Sequence, residues 1–136
     1  MSFTTWDVNG YGINEDDAKL VYGEEETRNF LKTAPITKAK VEKDMTNEGI
    51  ACFADYETDD GKCGIDAIVV MAIREKEGIS LEYHCAENGN FILFPPYYPW
   101  QSRLDKDAQM TEEKLDTIFK KYFGTEGRYV SAQYQG

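Results

Sequence analysis

The side chains that could do chemistry are few, and the single histidine comes first. His84 could accept the proton of a thiol, so that Cys52 or Cys63 would become a nucleophile. Cys85 follows His84 on a predicted strand and would point to the opposite side, which excludes it as the partner. No glycine elbow of the kind that presents a nucleophile surrounds any cysteine or serine. We therefore expect His84 to be an exposed strand residue.

Metal-binding patterns are incomplete in this sequence. The cysteines are separated by 11 and 22 residues, whereas zinc ligands usually come in close pairs. Four acids fall at positions 1, 3, 5 and 12 of a calcium-loop pattern: Asp55, Glu57, Asp59 and Asp66. Position 6 of that pattern requires glycine, and Asp60 occupies it here. We expect a solvated acidic turn, with no metal and no cofactor.

The elements that would position these groups predict one α+β domain over residues 1–136. We expect a small antiparallel sheet with strands near 3–11, 79–86, 91–94 and 128–134. In the second of these, Leu81 and Tyr83 alternate with Glu82 and His84. Asn88-Gly89 predicts the hairpin turn that follows.

Two helices near 65–77 and 111–123 are predicted to pack against this sheet. The second has a cap at Thr111 and one apolar stripe, formed by Leu115, Ile118, Phe119, Tyr122 and Phe123. The apolar residues of 65–77 fit a strand as well as a helix. Gly78, followed by Ile79, is typical of a helix end and favours the helix.

The first half of the chain gives weaker patterns. Asn9-Gly10 and Gly12 are typical turn residues, and Asn14 could cap a short acidic helix. A second short helix should begin at residues 24–26 and end before Pro35. We expect a helix over 37–45 and a strand over 49–56.

The charge balance limits the partners. The chain has 25 acidic and 15 basic side chains, a formal net charge of −10, and residues 1–60 carry −8 of it. Such a chain is repelled by nucleic acid and by anionic membrane, and it attracts basic proteins. Three cysteines without paired spacing indicate reduced thiols. Neither a signal peptide nor a membrane span is predicted, so we expect a cytoplasmic protein.

One aromatic segment is unusual in composition. Residues 94–100 read Phe-Pro-Pro-Tyr-Tyr-Pro-Trp. Prolines stiffen such a segment, and rigid aromatic side chains lose little entropy on binding. The segment could therefore anchor a partner. The alternative, which we favour, is that Tyr97, Tyr98 and Trp100 close one end of the core.

Four motifs resemble a group of small uncharacterised proteins of gut Firmicutes and their phages. They are Asn9-Gly10-Tyr11-Gly12-Ile13 followed by Asp16-Asp17, Glu77-Gly78-Ile79, Phe91 to Pro96 leading to Tyr98-Pro99-Trp100, and Thr111 to Leu115. The resemblance assigns no functional residue. It implies a phage or mobile-element setting, in which small acidic proteins resemble inhibitors of host defence such as anti-CRISPR proteins.

These observations predict a non-enzymatic protein that binds a basic partner, most specifically a nucleic-acid-binding defence protein such as a nuclease. The expected contacts are Glu15, Asp16, Asp17, Glu24, Glu25, Asp55, Glu57, Asp59 and Asp60, with Tyr97, Tyr98 and Trp100 as aromatic anchors. The alternatives are a small enzyme that uses His84 or a carboxylate pair, and a scaffold or oligomer subunit. The sequence leaves the oligomeric state open.

Overall fold

The residues that the structure describes form four helices and one four-stranded antiparallel sheet, which confirms the α+β class. This computed structural model describes residues 5–17, 22–58, 64–94 and 111–135. Residues 1–20 and 82–136 form one compact unit, the sheet unit, and residues 21–81 form another, the helical unit. The single domain over 1–136 stays a prediction.

All four predicted strands are present in the sheet unit, although the strand predicted from residue 79 begins only at Glu82. They are β1 (Thr5–Asn14), β2 (Glu82–Ala86), β3 (Gly89–Leu93) and β4 (Arg128–Gln135), in the order β2-β3-β1-β4. Strand β1 continues three residues beyond the predicted end near residue 11. It pairs with β4 from Thr5 to Gly12 and with β3 from Gly12 to Asn14, so it is the strand that holds the sheet together.

The prediction that Gly10 and Gly12 are turn residues is wrong, because both lie inside β1. A Cβ atom on Gly12 would lie 1.9 Å from the Ile92 carbonyl oxygen, and one on Gly10 would lie 2.9 Å from Leu93 Cβ. Glycine is required here because β3 approaches the β1 backbone too closely for any side chain.

The hairpin turn lies one residue earlier than predicted. Glu87 and Asn88 form the turn, whereas Gly89 already pairs with Ala86, with a φ of 135° that favours glycine. The Glu87 amide donates to the Gln133 carbonyl at 2.8 Å. The tip of the β2–β3 hairpin therefore lies against β4, the strand at the other edge of the sheet, so the sheet is strongly curled.

The Asn88 side chain occupies the outer edge of β4. Its Nδ2 donates to the Ser131 carbonyl, and its Oδ1 accepts from the Gln133 amide, both at 2.9 Å. These are backbone groups that another strand would otherwise use. The carboxamide thus satisfies part of an edge that could pair with a second chain.

Helix α4 (Glu112–Phe123) agrees with its prediction in bounds, cap and stripe. The Thr111 hydroxyl accepts from the Lys114 amide at 3.1 Å, and the five residues of the predicted stripe are all buried. The helix packs on the sheet through Phe119 and Tyr11, whose ring centroids are 6.4 Å apart. The Tyr11 hydroxyl donates to Asp116 at 2.7 Å. Burial and this carboxylate raise the pKa of Tyr11 well above its usual range.

The opposite face of the sheet carries a small apolar cluster. Phe91, Leu93 and Ala132 are buried there, and Val8 and Val130 pack against them. Ala86 of β2 also packs against this cluster, so all four strands contribute side chains to the concave face of the curled sheet.

The helical unit contains α1 (Glu24–Leu31), α2 (Pro35–Glu48) and α3 (Ile65–Glu77). Residues 65–77 are therefore a helix, as the Gly78 signal favoured, and Gly78 ends it with a φ of 67°. The predicted helix over 37–45 is part of α2. The core of this unit brings together Leu31, Val41 and Tyr56 with Ile68 and Ala72 of α3.

The predicted strand over 49–56 is wrong. Gly49 ends α2 in the left-handed conformation, and a 3-10 turn follows at Phe53–Asp55. The Glu24 carboxylate accepts hydrogen bonds from the backbone amides of Phe53 (2.7 Å) and Ala54 (3.0 Å). This long-range contact satisfies amides that a strand would have paired, and it overrides the apolar alternation.

Candidate functional site

The acidic residues predicted as contacts in the sheet unit follow β1. Glu15 and Asp16 belong to a 3-10 turn, Glu15–Asp17. Asn14 Oδ1 accepts from the Asp16 amide at 2.9 Å, which confirms Asn14 as a cap. Asp16 is exposed, and Glu15 accepts from the Tyr83 hydroxyl at 3.3 Å. The side chain of Asp17 lies outside the described residues.

The acidic residues predicted in the helical unit divide into structural and exposed groups. Glu24 holds the 3-10 turn at residues 53–55, so its carboxylate is already engaged. Asp55 is exposed and accepts from the Cys52 thiol at 2.9 Å, and this hydrogen bond raises the pKa of Cys52. Glu25 and Glu57 are exposed. A thiol with a raised pKa is a poor nucleophile near neutral pH.

Several predicted site residues lie outside the described residues. They are Asp59, Asp60, Tyr97, Tyr98 and Trp100, together with Cys63. Within the described ranges, no group of three or more His, Cys, Asp or Glu side chains is placed to hold a metal ion.

The uneven charge of the sequence does not follow the two compact units. Residues 21–81 contain 13 acids and 8 bases, and the sheet unit contains 12 acids and 7 bases, so each has a net charge of −5. The −8 over residues 1–60 arises because that stretch crosses from one unit into the other. The acidity is thus a property of both units.

The expectation of an exposed His84 is wrong. Its side chain is only 13 % exposed and lies between two polar groups. Nε2 is 2.9 Å from Glu82 Oε2, and Nδ1 is 2.5 Å from the Tyr134 hydroxyl. A carboxylate only accepts, so Nε2 carries the hydrogen of neutral His84, and Nδ1 accepts from Tyr134. The curl of the sheet produces this arrangement, because β2 and β4 are opposite edge strands.

A connected chain of hydrogen bonds joins Glu82, His84 and Tyr134. This arrangement is poorly suited to catalysis. Both ring nitrogens of His84 are engaged, so a substrate would have to displace one partner. Burial raises the pKa of Tyr134, and the nearby Cys85 and Glu82 raise it further. A tyrosinate nucleophile is therefore disfavoured. These hydrogen bonds hold the Tyr134 ring in one orientation.

Trp6 stacks on the face of that fixed ring. Trp6 and Tyr134 are register partners in β1 and β4, and their rings stack at 5.5 Å with an interplanar angle of 14°. Trp6 is nonetheless 48 % exposed. We call the Trp6–Tyr134 pair the aromatic platform. Sequence reasoning missed it: the shared face of Glu82 and His84 was visible as an i, i+2 spacing, but no local signal places Tyr134 beside them.

Models of known protein families, curated proteins and solved structures were all compared with the chain, and none matches it. Among the described helices, none is both long enough and apolar enough to cross a membrane.

Proposed function

We propose that this protein binds a basic protein partner through its carboxylates and is not an enzyme. The observation that carries the proposal is the excess of ten acidic over basic side chains, to which both compact units contribute −5. Asp16, Glu25, Asp55 and Glu57 are exposed and available to a partner. Complementary charge steers association and sets its dependence on salt.

The sharpest form of the proposal is a phage or mobile-element protein that inhibits a nucleic-acid-binding defence protein, such as a nuclease, in the cytoplasm of a bacterial host cell. A protein that binds phosphates presents clustered Lys and Arg side chains. Exposed carboxylates of this protein can take the places of those phosphates against the Lys and Arg side chains. The four resembling motifs and the acidity support this setting.

The experiment compares capture from a bacterial lysate by two charge variants. The first neutralises the exposed predicted contacts: Asp16→Asn, Glu25→Gln, Asp55→Asn and Glu57→Gln. The matched control neutralises four other exposed acids: Glu42→Gln, Glu48→Gln, Glu113→Gln and Glu126→Gln. Both variants change the net charge by the same amount, so a difference between them reports position rather than total charge.

We expect the wild-type protein and the control to retain the same basic partner at about 0.1 M salt and to release most of it at about 0.5 M, where the screening length falls from about 10 Å to about 4 Å. The contact variant should retain little at either salt. The purified partner should then be displaced by duplex DNA or by RNA. Equal retention by all three proteins, or a partner that nucleic acid does not displace, would contradict the mimicry.

A second candidate is a small enzyme that uses His84, and the observation in its favour is the Glu82–His84–Tyr134 chain. It ranks second because neither ring nitrogen is open to a substrate. A panel of chromogenic ester, phosphate and glycoside substrates tests it. Activity that His84→Gln abolishes and that Cys85→Ser leaves intact would favour the enzyme over the binding protein.

A further inference from the structure

We propose that the aromatic platform is the anchor point for an arginine side chain of the partner, whose guanidinium would stack on the exposed face of Trp6. This inference rests on the proposed function and names the chemistry that the protein would recognise. It adds a site that the acidic residues discussed above do not include, on the concave face of the sheet unit.

The first argument is that Trp6 is exposed and yet held in place. One face of its indole lies on Tyr134, so much of the 48 % exposure belongs to the other face and the ring edge. Tyr134 cannot turn away, because its hydroxyl is bound to His84 and His84 is bound to Glu82. A side chain fixed before binding loses little entropy on binding, which is the property of interface hot spots.

The second argument is the charge around the platform. Glu82 closes the chain of hydrogen bonds, and Glu87 lies at the hairpin tip against β4. Strands β1, β2 and β3 contain no Lys or Arg. The one base of β4, Arg128, is six residues from Tyr134, or about 20 Å along the strand. The charges of the four described strands therefore favour a cation over an anion or a neutral ligand.

The third argument selects arginine among cations. A guanidinium is planar and weakly hydrated, so it can lie flat on an indole ring while its edges remain free for carboxylates. Cation–π contact is strongest with Trp among the aromatic residues. An ammonium group is a compact, strongly hydrated charge and loses more water on the same surface. Arginine is also enriched where proteins bind nucleic acid, which agrees with the proposed class of partner.

The test uses defined peptides, so it does not depend on finding the partner. Nine-residue peptides of arginine, lysine and citrulline, the neutral isostere of arginine, are titrated into the full chain by calorimetry. Trp6→Leu removes the π face but keeps an apolar side chain, and Trp6→Phe keeps a smaller ring. Tyr129→Leu is the matched control, because Tyr129 is similarly exposed (46 %) on the other face of the same sheet.

We expect Trp6→Leu to weaken arginine-peptide binding by about 5- to 30-fold, Trp6→Phe to give an intermediate loss, and Tyr129→Leu to change it less than about 2-fold. Lysine should bind less tightly than arginine, and citrulline should not bind. Equal affinity of Trp6→Leu and wild type, or equal binding of citrulline and arginine, would overturn the platform.

The design separates this inference from the function on which it rests. If the four-acid contact variant loses the arginine peptide while Trp6→Leu keeps it, the platform fails and the proposal of binding through carboxylates survives. If both variants bind as the wild type does, both proposals fail. Circular dichroism confirms that each variant is folded. If a variant is unfolded, the test uses the Trp6 emission of a folded Trp100→Phe protein instead. The arginine peptide should change this emission and the citrulline peptide should not. Any other result rejects the platform.

Discussion

Gly12→Ala should cause a large loss of stability for a small change in side-chain volume. The new methyl group would lie 1.9 Å from the Ile92 carbonyl oxygen and 2.9 Å from Leu93 Cα. Ordinary contact begins near 3.4 Å, so β1 and β3 would have to separate by about 1.5 Å. The obstacle is backbone rather than a flexible side chain, and no rotamer change relieves it.

The size of the stability loss follows from the interactions between β1 and β3 that this separation would break. Strands β1 and β3 pair over only three positions, Gly12 to Asn14, with one further hydrogen bond from the Phe94 amide to the Tyr11 carbonyl at 2.9 Å. Overpacking costs about 1–3 kcal/mol, and each backbone hydrogen bond lost adds about 1 kcal/mol. We expect the free energy of unfolding to fall by about 3–5 kcal/mol, a large share of the roughly 5–15 kcal/mol typical of a domain.

The assay is urea unfolding followed by far-ultraviolet circular dichroism, which reports on both units, and by fluorescence in a Trp100→Phe background, where all the indole emission comes from Trp6. Gly49→Ala is the control: it has open space but a φ of 67°, so it should cost only about 1–2 kcal/mol of backbone strain. A Gly12→Ala protein that loses less stability than Gly49→Ala would refute the close approach of β3.

Two further predictions concern single side chains that satisfy backbone groups. Asn88→Ala should lower the free energy of unfolding by about 1–2 kcal/mol and speed hydrogen exchange of the Gln133 amide; Asn88→Asp keeps the acceptor and should protect that amide better than alanine does. Burial raises the pKa of Glu75, but hydrogen bonds from the backbone and hydroxyl of Thr37 more than offset this and leave the pKa lowered. Its stabilisation of α2 is therefore present at neutral pH and lost as the pH falls through the lowered pKa, so Glu75→Gln should flatten the acid limb of the melting temperature against pH. An unchanged acid limb would contradict that reading.

Patterns within about fifteen residues predicted most of the elements. Helix α4 was predicted to the residue because its cap, stripe and terminal Gly124 are all local signals. Helix α3 was ambiguous by periodicity, since it is buried on most sides, and Gly78 decided it. The failures are positions where a distant group decides: Glu24 fixes the turn at residues 53–55, and β3 makes Gly12 a point of close approach.

The aromatic platform could not be predicted from the sequence, because its residues are also brought together by contacts between distant parts of the chain. Trp6 and Tyr134 are separated by 128 residues and meet only because β1 pairs with β4 in one register. His84 reaches Tyr134 only because the sheet curls until β2 approaches β4. A slip of one residue in either pairing would turn these side chains to the opposite face.

Salt separates the two parts of the binding proposal, because they act over different ranges. Attraction between exposed charges is screened within about 4 Å at about 0.5 M salt, whereas stacking of a guanidinium on Trp6 is a contact interaction and is screened much less. The affinity that remains at high salt should therefore depend on Trp6, and the part lost between low and high salt should depend on the carboxylates. Trp6→Leu should lower the affinity by a similar factor at both salts, while the four-acid variant should lose its effect at high salt. A Trp6 effect that vanishes together with the charge effect would mean that the indole only positions nearby carboxylates.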